Sequence, residues 1–295
     1  MIEGFFLQVQ FSIKNRQVKL GYNTNGLAFH RWDDAIRLIA ETGYESVAIS
    51  VDHDCLNPFS PDLPQRLQEM QALLEQYQLS SVIETGARFL LNPRAKHEPT
   101  LVSAAPADRA RRIDFLKRCI DEAAFLKSDA VSFWAGQLKE EISCEAALAR
   151  LADGCREVIE YAAERQVRLA FEPEPGMLIE TLSDFEELTQ RVDDPCFGLT
   201  VDIGHLQCLG ETPISQFLTP WGDRIFNVHI EDMVFGTHDH LRFGEGEIDF
   251  ADVMLGLRNI HYAGGLHVEL SRHSHIAPEV LQESFQFLHA LSETD

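Results

Sequence analysis

Glu172, Asp202, His229 and Glu269 are the side chains of this sequence whose types and spacing suit chemistry carried out together. They fall in four stretches, VRLAFEPEPG (167–176), FGLTVDIGH (197–205), IFNVHIED (225–232) and GGLHVEL (264–270), and each stretch alternates with a period of two. Leu169 and Phe171, Leu199 and Val201, Phe226 and Val228, and Leu266 and Val268 share one parity, whereas the four ionisable residues hold the other. A period of two is the pleat of a strand, so the pattern predicts large apolar side chains on one face and acids or imidazole on the opposite one. Four such groups turned into an interior would cost several kcal/mol unless they shared a partner. Three carboxylates and one imidazole suit a single divalent cation, Mn(II) foremost and Zn(II), Mg(II) or Co(II) as alternatives, with positions left for substrate oxygens. One inward Asp or His is ordinarily a satisfied core residue; four in phase on successive strands point to the ion.

Further candidates surround these four. Residues 225–250, IFNVHIEDMVFGTHDHLRFGEGEIDF, read as one strand and one loop and add His238 and His240 to His229. His205, three residues after Asp202, could bind a substrate hydroxyl or shuttle a proton. His238 and His240 could hold a phosphate or a second ion, against the plainer reading of a solvated His-x-His loop. Glu174 shares the parity of Glu172 and is a candidate substrate contact. Arg88 and Arg272 are candidates for the same pocket, because a planar guanidinium suits phosphate or carboxylate. Arg242 is a weaker candidate of that kind, and a surface salt bridge is its simpler role. Trp134 could stack on a face of the substrate or simply pack in the core.

The elements that must position these residues alternate along the chain. Besides the four stretches above, VKLGYNTNG (18–26), YESVAIS (44–50), LSSVIETGA (79–87) and DAVSFWAG (129–136) read as strands, with amphipathic helical stretches between them. Ser183 with Glu186 spaces as a capping box, Asp249 precedes an apolar-periodic run, and Pro278 with Glu279 suits a first helical turn. Strand–helix alternation implies right-handed crossovers and a parallel sheet. Eight such units predict an α/β protein built as a single (β/α)8 TIM barrel, which needs about 250 residues. An open doubly wound sheet is the competitor, but the first strand is not followed by the G-x-G-x-x-G turn that a dinucleotide fold would often carry. Residues 18–295 form the barrel domain in this reading, and 1–17 an N-terminal extension of unassigned role.

Bulk properties narrow the partners. Of 295 residues, 47 are acidic and 25 basic, a formal charge of −22, which disfavours phosphate backbones and anionic membrane surfaces. The six cysteines are scattered without a C-x-x-C pair, and Cys119 and Cys155 sit in helical stretches where buried reduced thiols are usual. The opening residues do not resemble a signal peptide and no apolar run reaches a membrane span, so a cytoplasmic location is expected. Neither nucleic acid nor a membrane is an expected partner; a homo-oligomer is compatible with the sequence.

FEPEPG, TVDIGH, NVHIED, HLRFGEGEIDF and LHVEL, in that order, resemble the motif succession of the xylose-isomerase-like TIM-barrel superfamily over about residues 18–293. That group holds sugar phosphate isomerases/epimerases, ketose 3-epimerases, inosose dehydratases and the endonuclease IV branch. In its isomerase and epimerase members one divalent ion is held by Glu, Asp, His and Glu from strands five to eight, and Glu172, Asp202, His229 and Glu269 match those positions. The resemblance implies that Glu172 and Glu269 also form the catalytic pair. Endonuclease IV carries further metals: Asp202 and His205 keep its D-x-x-H, and His238-x-His240 stands where it has Asp-x-His. Its histidines after strands three and four are missing here, where Glu84 and Trp134 stand instead, so its trinuclear set is incomplete. Glu84 thereby joins the candidate substrate contacts.

The function implied is a divalent-metal-dependent isomerase or epimerase of a ketose-type sugar or sugar phosphate, moving a proton through an enediolate that the ion stabilises. The alternatives are a lyase or dehydratase acting on an inosose- or 3-keto-glycoside-like substrate, and an endonuclease IV-type phosphodiesterase. A fourth is a binding protein that kept the barrel and lost turnover.

Overall fold

The computed structural model describes residues 18–293. The strands are β1 (Lys19–Asn23), β2 (Ser46–Ser50), β3 (Ser80–Glu84), β4 (Val131–Phe133), β5 (Leu169–Phe171), β6 (Phe197–Asp202), β7 (Ile225–Ile230), β8 (Asp232–Val234), β9 (Thr237–Leu241) and β10 (Gly265–Val268). All but β8 and β9 run parallel around a closed barrel in the order β1-β10-β7-β6-β5-β4-β3-β2. Each barrel strand lies inside a stretch that alternation predicts, and the (β/α)8 barrel is the fold. The extension expected at residues 1–17 lies outside the described residues.

The helices are α1 (Trp32–Thr42), α2 (Leu63–Tyr77), α3 (Pro106–Leu126), α4 (Cys144–Glu164), α5 (Leu182–Thr189), α6 (Ile203–Leu209), α7 (Ile214–Leu218), α8 (Phe250–Asn259) and α9 (Ala277–Glu293). No helix among the described residues is long and apolar enough to cross a membrane. Asp249 caps α8 as expected, its carboxylate accepting from the backbone N–H groups of Ala251 and Asp252. The capping box of α5 is displaced from the expected Ser183–Glu186 pair. Thr181 accepts from the N–H of Asp184 at 3.1 Å, and the Asp184 carboxylate accepts from the N–H of Thr181 at 3.0 Å. The chain is extended through Thr181, so Ser183 already lies within the first helical turn and cannot serve as the cap.

The apolar parity of the strands packs against the helices. Behind β4, β5 and β6 the rings of Phe133, Phe171, Phe197 and the α5 residue Phe185 stack and meet edge-on, with centroids 5.3–6.3 Å apart. Such pairs add about 0.5–1.5 kcal/mol each beyond burial and stiffen the wall that carries the site. Cys119 and Cys155 are buried free thiols, as expected. Phe226 departs from its expected outward orientation. A register shift between β6 and β7 falls at Leu199/Thr200, and the bulge turns the Phe226 ring onto Ala130 and Ala170, two residues of the interior parity. Gly198 makes room for it: a Cβ there would collide with the ring.

Candidate metal centre

Local backbone features bring the four predicted ligands to one end of the barrel. Glu172 follows β5 directly, and its N–H donates to the Phe133 carbonyl at 2.8 Å, which extends the ladder and keeps the side chain inward. Asp202 ends β6 and caps α6: its Oδ1 accepts from the N–H of His205 at 2.9 Å. The opposite oxygen, Asp202 Oδ2, is buried without a hydrogen-bond partner. His229 on β7 is the register partner of Asp202 on one side and of His267 on the other. Glu269 lies just past β10, where its N–H donates to the Ile230 carbonyl at 3.2 Å.

His229 Nδ1 stands 2.8 Å from Glu269 Oε2, 3.2 Å from Glu172 Oε1 and 3.8 Å from Asp202 Oδ2. Ligand atoms from the four residues all lie within 4.8 Å of one another. A cation 2.0–2.2 Å from each ligand would set them roughly 3–4.4 Å apart, so small side-chain shifts close the set. The residues fit such an ion: three carboxylates crowd one imidazole, and the orphaned Asp202 oxygen faces the space between them.

The electrostatics separate the two glutamates. Burial pushes the Glu172 carboxyl up to about 7, with His229 opposing and the charges of Glu269 and Asp202 adding. Burial also acts on Glu269, but His229 and then His240 outweigh it and hold that carboxyl down at about 2. His229 itself is pushed well above the usual range, because Glu84, Glu269 and Glu172 overcome its desolvation. Burial lowers His205 to about 4, which leaves it neutral.

The second group of candidates converges beside the first. His238 and His240 are carried by a hairpin, β8–β9, and not by the loop that the sequence suggested. Gly236, at φ +72°, makes its turn, and Asp232 pins its base by accepting from the N–H groups of Met233, Gly244 and Ile248. Alternation along β9 aims both imidazoles at His205, so that ring nitrogens of His205, His238 and His240 lie within 4.8 Å of one another. His205 Nδ1 faces the Pro173 carbonyl at 3.2 Å and so carries the proton, which leaves Nε2 to accept from His238 Nε2–H at 3.0 Å. Glu231 is fully buried with neither oxygen hydrogen-bonded, 3.6 Å from His240 Nδ1. Asp202, Glu231 and His240 form a further group able to hold a cation.

An open cavity of about 490 Å³ rises from these residues, a size suited to a small ligand. Glu174, Arg88, Trp134 and Arg272 line it. Burial and then the charge of Glu172 push the Glu174 carboxyl up to about 8. Arg88 is braced by Asp52 at 3.5 Å and by the Asn25 carbonyl at 3.2 Å, and Arg272 pairs with Asp239. Arg242 is not among the lining residues and pairs with Glu283 and Glu279. Glu84 sits at the cavity floor but is taken up by protein partners: its Oε1 accepts from His229 at 2.9 Å and from Asn227 Nδ2 at 3.0 Å.

Two lining residues were not legible in the sequence. Asn25 donates to Glu269 Oε1 at 2.8 Å, and the only signal for it was its position just after the first strand. His97 lies thirteen residues beyond β3, folds back to hydrogen-bond the Gly86 carbonyl at 2.6 Å and meets the Trp134 ring edge-on. A loop return of that length leaves no periodic trace.

Known proteins resemble this chain over most of its length. A family model described as the xylose isomerase-like TIM barrel matches residues 36–291. The L-ribulose-5-phosphate 3-epimerase UlaE of Salmonella typhi is 26% identical over 265 residues, covering 87% of this chain and 88% of its own. Among solved structures, the D-allulose 3-epimerase of Methylomonas sp. in complex with D-allulose superposes with a TM-score of 0.74 at 18% identity, covering 93% of this chain and 97% of that one. The IOLI protein, solved with a bound zinc atom, gives 0.75 at 18% identity, with 93% and 98% covered. At these identities the two structural likenesses speak for the fold.

Proposed function

Because this chain belongs to the xylose isomerase-like TIM barrel family, we propose that it is an isomerase or epimerase of a ketose-type sugar or sugar phosphate. In this reading Glu172, Asp202, His229 and Glu269 hold one divalent cation, Mn(II) foremost, and Glu172 and Glu269 transfer the proton. The observation that carries the proposal is the convergence of these four side chains at one barrel mouth, their ligand atoms all within 4.8 Å of one another. The epimerase names of a curated relative and of a structural neighbour support it.

When bound, the cation supplies Lewis acidity toward a carbonyl and its neighbouring hydroxyl. The protein supplies the proton traffic. Glu269, ionised and held in place by Asn25, is the base that takes the proton from the carbon next to the carbonyl. Glu172, on the other flank of His229, is the partner that returns one, and the roles exchange in the reverse direction. Trp134 and Glu174 contact the sugar from the wall, while Arg88 and Arg272 face an anionic substituent at the rim. His205, His238 and His240 serve either the sugar hydroxyls or a second cation, and the metal count per chain, one or two, separates those roles.

Mn(II)-loaded protein incubated in D2O with a panel of free and phosphorylated ketoses should introduce deuterium at the carbon beside the carbonyl. Glu172→Gln and Glu269→Gln should each slow that exchange by roughly 10²–10⁴-fold. Absence of exchange across the panel rejects the proton-transfer reading, and product masses lower by one water would identify a dehydratase instead.

A further inference from the structure

We propose that Glu84, at the end of β3, is the positioning residue of the metal centre, holding His229 in the tautomer and orientation that a cation requires; this rests on the four-residue centre proposed above. Glu84 comes from the opposite side of the barrel, 145 residues before its partner in the chain. Its side chain is nearly buried, and its Oε1 lies 2.9 Å from His229 Nε2. A carboxylate oxygen only accepts, so the Glu84 contact keeps a proton on Nε2, while a cation among Glu172, Asp202 and Glu269 would displace the proton from Nδ1. That leaves the lone pair of the neutral ring on Nδ1, the nitrogen facing Glu172, Asp202 and Glu269. The opposite tautomer would set a bare Nε2 against a carboxylate oxygen and point an N–H into the space that the ion needs.

The carboxylate is itself held. Asn227 Nδ2 donates to the same Oε1 at 3.0 Å, and the orientation of that amide is fixed because its Oδ1 accepts from His267 Nδ1–H at 2.8 Å. Burial keeps His267 neutral, and its Nε2 meets the Ser46 hydroxyl at 2.9 Å. A chain of hydrogen bonds thus runs from the barrel interior at β2, through β10 and β7, to the ligand ring. Carboxylates behind ligating histidines set ring orientation and basicity, and their loss typically weakens metal affinity roughly 10–100-fold. Glu84 is therefore removed from the substrate contacts to which the sequence assigned it and placed behind the ligand.

The test is Mn(II) affinity, read from the electron paramagnetic resonance signal of the free ion during titration of chelator-stripped full-length protein. Glu84→Ala should raise the Kd roughly 10–100-fold, and Glu84→Gln, which keeps an acceptor of the same size, should recover part of the loss. An unchanged Kd in a folded Glu84→Gln protein overturns the proposal, even where the alanine variant fails to fold. Unchanged Kd together with a raised KM for sugar also overturns it, returning Glu84 to the substrate contacts. Wild-type protein that binds no Mn(II) would instead overturn the four-residue centre, and this inference with it.

Discussion

At the scale of single residues, the centre without an ion already contains a stand-in for one. His229, pushed well above its usual range by Glu84, Glu269 and Glu172, is an imidazolium among carboxylates. Glu172 keeps its proton to about 7. A cation must displace both protons, so binding at pH 7 should release protons and affinity should fall as the pH drops. The sign follows from both groups having raised values: each holds its proton more tightly in the ion-free protein and competes with the metal at low pH. Calorimetry in two buffers of different ionisation enthalpy measures the release; a value of zero at pH 7 would contradict this account. The four candidate ligands were legible because each sits on, or one residue past, a strand whose apolar residues alternate with it. Glu84 was visible as a residue but not as a partner of His229, because parity reports a face and not what stands across the barrel.

At the scale of elements, the hairpin β8–β9 and helix α3 show opposite sides of the same problem. The hairpin exists because Asp232 satisfies three backbone N–H groups and Gly236 takes the left-handed turn. Nothing in the spacing of His238 and His240 distinguishes its short strands from a loop. Helix α3 was plain from its apolar stripe, yet it buries Glu122, which is 1% exposed with neither oxygen hydrogen-bonded. Burial, then the nearby Asp121 charge, pushes that carboxyl well above its ordinary value. An acid with a raised folded pKa contributes stability that is present below its unfolded value, near 4.5, and is lost as the pH climbs beyond it. The loss is about 1.4 kcal/mol per pH unit until the folded group ionises. Glu122→Met should accordingly raise the melting temperature, and by more at pH 8 than at pH 5. An equal or negative change at pH 8 would mean that the carboxylate has a partner. The shifted α5 cap and the inward Phe226 follow the same logic, since a two-residue displacement or a single bulge moves a side chain without changing the pattern around it.

At the scale of the whole molecule, a formal charge of −22 and the clustering of acids at one barrel end favour the uptake of a divalent cation. Because the ion binds a site that only the closed barrel assembles, it stabilises the folded state. At a hundred times its Kd the gain is about 2.7 kcal/mol. For a chain of this size that corresponds to a rise of roughly 4–5 °C in Tm. Scanning calorimetry with chelator and then with Mn(II) measures it, and identical melting temperatures would be incompatible with the proposed centre. Alternating strands and helices determined the barrel, and period two determined that Glu172, Asp202, His229 and Glu269 face its interior at one end. Both are local regularities, repeated along the chain by the geometry of the backbone itself. The tertiary structure alone decided which of those groups meet: Glu84 with His229 across 145 residues, Asn25 with Glu269 across 244, and His205 with the hairpin imidazoles. Closure of β1 onto β10 brings Lys19–Tyr22 beside Gly265–Val268, and contacts across a closed interior depend on register, bulges and loop return, which no linear period records.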